Sequence, residues 1–183
     1  DPRKPNVFTG KTVVFEGPED YHKRINSKKL KIDQNSILII RGCGPIGYPG
    51  AAEVVNMQPP NKLLKKGINA LPTLGDGRQS GTSESPSILH VSPESAVGGD
   101  LAIVKTGDQM TIDLNKRRVD LLISQTEFKK RRKKKKIPKF ENQTPWQEIF
   151  RNTVGQLDDG ACINSKGVYL DITNKKGLPR NSH

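Results

Sequence analysis

The apolar positions fall into short, separated runs, and each run carries its own signature of secondary structure. Residues 12–15 (TVVF) are β-branched and apolar, which predicts a strand. Gly17, Pro18, Glu19 and Asp20 follow, and Pro at a first turn with acids beside it opens a helix that should end near Asn26. Residues 36–40 (SILII) form a continuous apolar run, the pattern of a strand covered on both faces as in a parallel sheet. A Gly/Pro-rich segment, 41–60, is too punctuated for a long element and too apolar for a disordered linker. Residues 60–66 predict one or two helical turns closed by Gly67, and 70–74 another short strand.

The second half reads the same way. Ser92-Pro93-Glu94 predicts a helix start with Ser as cap, limited by Gly98-Gly99 to about a turn and a half. Runs at 101–104, 110–114 and 119–123 predict three late strands, the last two hairpin-like around NKRR. Ser124 with Glu127 fits a capping box that begins a helix ended by Pro138. Thr144-Pro145 with Gln147 opens another, carrying Trp146, Ile149, Phe150 and Val154 on one side. A strand–helix–strand opening and late antiparallel strands together indicate an α/β domain with mixed sheets.

The 183 residues suit one domain with tails. Residues 1–10 read as an arm or interdomain linker, 11–163 as the domain, and 164–183 as a polar C-terminal tail. No apolar run reaches membrane-spanning length and no signal segment opens the chain, so a soluble, cytoplasmic protein without membrane contact is expected. The start at Asp1-Pro2, without Met, fits a processed product or a piece of a longer protein. Two Cys exclude a disulfide scaffold, and no His stands at metal-ligand spacing with another His or Cys. The formal charge is +12, but residues 129–136 read KKRRKKKK; without them 23 cations face 19 anions, a balance of +4. Such a run is most often a solvated element. Its functional alternative is a sequence-blind, salt-sensitive nucleic-acid contact between Lys129 and Lys136.

Two segments carry candidate chemistry. The loop GDGRQSGTSESPS follows a strand, where α/β proteins bind ligands. It is either a polar turn or an anion site in which Arg78 forks onto a carboxylate or phosphate beside Gly-flanked amides and hydroxyls. It lacks the Walker spacing. Glu53 stands in the otherwise apolar GYPGAAEVVNM, where a carboxylate is either exposed or capping, or is held by a partner or metal.

GPIGYPGAAEVVNMQPP and GDGRQSGTSESPSILHVSPESAVGG also resemble the dihydroxy-acid/phosphogluconate dehydratase superfamily, and its sugar-acid (arabinonate and xylonate) branch most. FEGPEDYHKRIN, TGDQMTIDLNKRRVDLLIS and TPWQEIFRNTVGQLDDGAC extend the resemblance over roughly residues 11–163. The resemblance is to the C-terminal domain alone. It implies a swivelling β/β/α domain with a barrel-like β core and short flanking helices, and an N-terminal domain elsewhere that holds an iron–sulfur cluster and most magnesium ligands. It implies that Ser80 is the base, that Thr82 is a hydroxyl beside it, and that Glu53 is the one magnesium-coordinating carboxylate of this domain. It further implies a sugar-acid substrate, water elimination to a 2-keto-3-deoxy acid, and a homo-oligomer in the full-length enzyme. Glu84, His90 and Asp100 depart from the family pattern, and the basic run is no recognised part of it. The isolated chain is expected to be inactive. The alternatives are a binding module of the same ancestry that uses its basic helix on nucleic acid or an acidic partner, and a structural domain making oligomer contacts through Trp146.

Overall fold

A computed structural model describes residues 3, 5–53, 56–79 and 86–163. One six-stranded mixed sheet runs in the order β4-β3-β2-β1-β5-β6 and curls into half a barrel flanked by short helices, the β/β/α class expected. Its centre is β1 (Val7–Glu16) and β2 (Ser36–Arg41), paired in parallel from Lys11↔Ser36 to Glu16↔Arg41. Helix α1 (Pro18–Arg24) makes the crossover, with Glu19 and Asp20 in its first turn. Then come α2 (Asn61–Leu64), β3 (Thr73–Gly75) and β4 (Ser87–Ile88), the two strands continuing the parallel half. On the other side β5 (Gln109–Asp113) and β6 (Arg118–Leu121) add antiparallel strands.

The continuous apolar run of β2 has the expected cause. Leu38 and Ile40 face one core with Val13, Phe15, Tyr21 and Leu71. Ile37 and Ile39 face the other with Val14, Leu74, Met110 and Ile112. All four β2 side chains are fully buried, so each contributes about 1.5–3 kcal/mol of apolar burial.

Three expectations need correction, and one strand was not foreseen. Strand β1 starts at Val7, inside the stretch read as an arm, because residues 7–11 pair with β5. Residues 101–104 are not a strand but follow a 3₁₀ turn, Asp100–Ile103, because β5 already occupies the β1 edge. The i, i+3 spacing of Leu101 and Val104 puts both into the second core without strand pairing. Ser92 does not cap a helix. The 3₁₀ turn there is Ser95–Val97, and Glu94 precedes it with its side chain turned inward. Strand β4, two residues long, is too short to leave a periodic trace, and the Thr73–Ser87 hydroxyl contact at 2.8 Å joins it to β3.

The helices of the second half begin where their caps predicted. Ser124 accepts from the Glu127 amide at the start of α3 (Gln125–Lys134), and Thr144 from the Gln147 amide at α4 (Pro145–Thr153). Helix α3 stops at Lys134, ahead of Pro138. Its basic run is not wholly solvated. Arg131 forks onto Asp108, with Nη1 at 2.5 Å and Nη2 at 3.0 Å, and its Nε reaches Glu127 at 2.8 Å; the Arg131 and Asp108 side chains are only 12 % and 10 % exposed. Four residues on, Lys135 donates to the Gly98 carbonyl, and Arg132 meets Asp100 at 3.4 Å. Among the described residues no helix is long and apolar enough to cross a membrane.

Breaking a buried pair leaves an uncompensated charge, so Arg131→Met is expected to cost about 3 kcal/mol in urea unfolding, against less than about 0.5 kcal/mol for Lys133→Gln. Equal small losses would show that the run contributes nothing to the fold.

Candidate functional site

The three parallel strands β1, β2 and β3 end on the same side, and their following loops gather there. After β2 the chain turns through Gly42, Cys43, Gly44, Pro45, Ile46 and Gly47, and two buried carboxylates hold that turn by its amides. Asp76, at the end of β3, accepts from Cys43 N (3.0 Å) on one oxygen, and from Gly42 N (3.0 Å), Ser95 N (2.9 Å) and Ser95 Oγ (2.6 Å) on the other. Glu94 accepts from Ile46 N (2.8 Å), Gly47 N (3.0 Å) and Gln156 Nε2 (2.8 Å). Both carboxylates are fully buried. The carbonyls are held from the opposite side by Arg151 of α4, whose Nε donates to Ile46 O at 3.1 Å and whose Nη2 reaches Gly47 O at 3.4 Å.

This packing dictates two glycines. A Cβ on Gly47 would lie 2.2 Å from the Gly42 carbonyl oxygen, and one on Gly77 would lie 2.7 Å from Cys43 Cβ and 2.8 Å from Cys43 O. Loops 42–47 and 76–79 therefore touch through backbone. Burial pushes the Cys43 thiol well above its ordinary range, with Asp76 adding to the effect, which favours the protonated form.

Glu53 and Arg78 lie at the rim of these loops. They form an isolated parallel bridge, and Arg78 Nη2 stands 3.4 Å from Glu53 Oε1 with both side chains half-exposed. The two residues singled out from separate segments are thus neighbours. Ser80 and Thr82, and with them Glu84, lie outside the described residues. Gln79, next to Ser80, is buried; its Oε1 accepts from Thr73 Oγ1 at 3.4 Å, and its Nε2 has no partner among the described residues.

As a magnesium ligand Glu53 fits in one respect: an accessible carboxylate, held by one long contact, can exchange a guanidinium for a cation. No group of three His, Cys, Asp or Glu that could hold a metal converges among the described residues, so Glu53 could be one ligand of several. Neither cysteine, Cys43 buried or Cys162 exposed, joins a group of three such side chains among the described residues, so these residues alone do not make an iron–sulfur site.

Two departures from the family pattern find local reasons. His90 has φ 57, a left-handed conformation that Asn and His tolerate better than most residues. Asp100 is matched by Arg132 from the basic run. A cleft of about 970 Å³ lies elsewhere, between the β4 and β6 edges, and is walled by Leu74, Ile88, Met110, Val119, Leu121 and Phe128 together with other side chains. The residues that sequence reasoning missed are Glu94, Arg151 and Gln156. Glu94 stood in a helix-start pattern and the other two in an ordinary amphipathic helix and its exit, so no local signal marked them.

Residues 2–161 match the family described as dihydroxy-acid/6-phosphogluconate dehydratase C-terminal. The whole chain is 54 % identical, over 183 residues, to 30 % of a D-xylonate dehydratase of Caulobacter vibrioides. An L-arabinonate dehydratase of Rhizobium leguminosarum is 50 % identical over 125 residues, 68 % of this chain and 22 % of that protein. A dihydroxy-acid dehydratase of Thermodesulfovibrio yellowstonii is 38 % identical over 157 residues, 85 % of this chain and 28 % of that protein. The chain therefore spans less than a third of the length of each of these relatives.

Burial raises the Glu94 carboxyl above its usual value near 4.5, against the lowering effect of its three hydrogen bonds. A raised native value means that the folded state keeps the proton longer than the unfolded one. Stability from this group is full below about 4.5 and declines as pH rises through the native value. Glu94→Gln should flatten that part of the stability–pH curve measured by urea unfolding from pH 4 upward, while lowering stability overall, since its amide would face a donor. A curve of unchanged slope would refute the assignment.

Proposed function

The chain belongs to the dihydroxy-acid/6-phosphogluconate dehydratase family as a C-terminal domain, and we propose that it is the part of a sugar-acid dehydratase that supplies the base and one metal-binding carboxylate. The observation that carries this reading is the 54 % identity over all 183 residues to a D-xylonate dehydratase, a match that includes Glu53 and Ser80. The reaction is loss of water from a 2,3-dihydroxy acid.

Ser80 acts as the base: its oxygen, as alkoxide, takes the hydrogen from C2 of the substrate as a proton. The C3–O bond breaks, the departing hydroxide takes up a proton to become water, and the enol that remains tautomerises to a 2-keto-3-deoxy acid. A serine hydroxyl is far too weak an acid to do this without neighbouring positive charge. Thr82 orients the Ser80 oxygen by hydrogen bonding. Glu53 holds the magnesium ion, which when bound supplies positive charge at the substrate carboxylate and 2-hydroxyl. Arg78, released from Glu53, forks onto the substrate carboxylate.

The remaining magnesium ligands and the iron–sulfur cysteines belong to an N-terminal domain that packs over these loops, in a cytoplasmic homo-oligomer. Nucleic acid is not the favoured partner, because Arg131, Arg132 and Lys135 of the basic run are committed to Asp108, Asp100 and Gly98 of this domain.

An enzyme assembled from this chain and its N-terminal domain should convert D-xylonate or L-arabinonate to the 2-keto-3-deoxy acid. Ser80→Ala should lower kcat by at least about 100-fold, and Glu53→Gln should raise the magnesium concentration needed for half-maximal rate. A Ser80→Ala enzyme as fast as the parent would remove the proposed base.

A further inference from the structure

The basic run has a second face that the fold does not use. Helical spacing turns Arg131 and Lys135 toward the domain. Lys130 and Lys134, also four apart, point outward with Lys136, and none of the three makes an ion pair among the described residues. These three lysines, with Arg131 and Arg41, line a groove of about 500 Å³ over the backbone of residues 102–105. Arg41, Ala102 and Lys136 also line a second hollow of about 290 Å³, whose other walls include Gly42, Tyr48 and Ser95. That hollow opens at the carboxyl ends of β1 and β2, on the clamped loop beside which Gly77 and Arg78 sit. The two spaces share three residues, so a cationic surface continues from α3 to the loop after β2.

The carboxylates on these walls do not cancel it. Glu127 is held by Arg131 at 2.8 Å, and Glu16 by Arg41 at 2.5 Å. Glu19 alone is left against Lys130, Lys134 and Lys136. With a screening length of about 8 Å at physiological salt, such a surface acts only on what is close to it, and a continuous groove meets that condition where an isolated patch would not.

We propose that Lys130, Lys134 and Lys136 form an anion-collecting groove that raises the local concentration of the negatively charged sugar acid and leads it to the loops at the carboxyl ends of β1–β3. The identity of the anion rests on the function proposed above; the groove itself does not.

The test is an NMR titration of this chain with D-xylonate, and with xylitol as the uncharged control, for the parent and for the triple variant Lys130→Gln/Lys134→Gln/Lys136→Gln. D-xylonate should shift the amides of Gly42, Ala102 and Ile103, with an affinity that falls about five-fold from 20 to 200 mM salt. Xylitol should shift none of them, and the triple variant, folded by its dispersed spectrum, should lose the response. Equal shifts from xylitol, or an undiminished response in the variant, would overturn the proposal. So would tight binding of random duplex DNA at 150 mM salt that the variant abolishes, which would assign the lysines to a nucleic-acid backbone instead. This readout needs no turnover. An assembled enzyme that fails to dehydrate either aldonate would sink the function proposed above and leave the groove standing, and the converse result would do the opposite.

Discussion

Everything at the carboxyl ends of β1, β2 and β3 depends on how the turn after β2 satisfies its backbone. The turn leaves a fully buried strand and passes through glycines and a proline, so its amides lie below the surface without a ladder to join. Asp76 and Glu94 accept from four of them, at Gly42, Cys43, Ile46 and Gly47, and Arg151 donates to two of the carbonyls. Buried polar groups left unpaired cost about 1–3 kcal/mol each, so the clamp is a condition for folding this segment at all. It also brings together elements far apart in sequence: Asp76 from the end of β3, Glu94 ahead of a 3₁₀ turn, and Arg151 and Gln156 from α4 and its exit.

The two carboxylates achieve this differently. The Glu94 carboxyl is pushed up by burial, its cost only partly offset by three donors. Asp76 receives four donor contacts and also ties Ser95 to the turn. Each is enclosed by the amides it holds. What the clamp leaves accessible is the rim, where Glu53 and Arg78 sit side by side.

The sequence made much of the fold legible. The two-faced burial of residues 36–40, the Ser124 and Thr144 caps and the hairpin around NKRR each follow from a local rule and stand in the structure. Two of the misreadings share one cause, the absence of tertiary partners from the pattern. Residues 101–104 carry strand-like apolar residues, but the β1 edge is already taken by β5. Val7 and Phe8 look like linker until β5 pairs with them. The site divides in the same way: Glu53 and Arg78 were conspicuous as charges among glycines and apolar residues, whereas the clamping role of Glu94 and Arg151 exists only once four segments meet. The basic run, read as a solvated element, proved to be two surfaces, one bracing residues 98–108 and one facing a groove.

The central claim is that buried carboxylates hold the amides of Gly42, Cys43, Ile46 and Gly47 after β2, while the Gly42 and Cys43 carbonyls accept from Tyr48 and Ala51 within the loop. Hydrogen exchange of the backbone amides at neutral pH tests it most directly. The account predicts that Gly42, Cys43, Ile46, Gly47 and Ser95 exchange slowly, within about ten-fold of the amides of β2, because each opens only when the clamp does. Exchange of these five amides at the rate of an unstructured peptide, with β2 still protected, would contradict it.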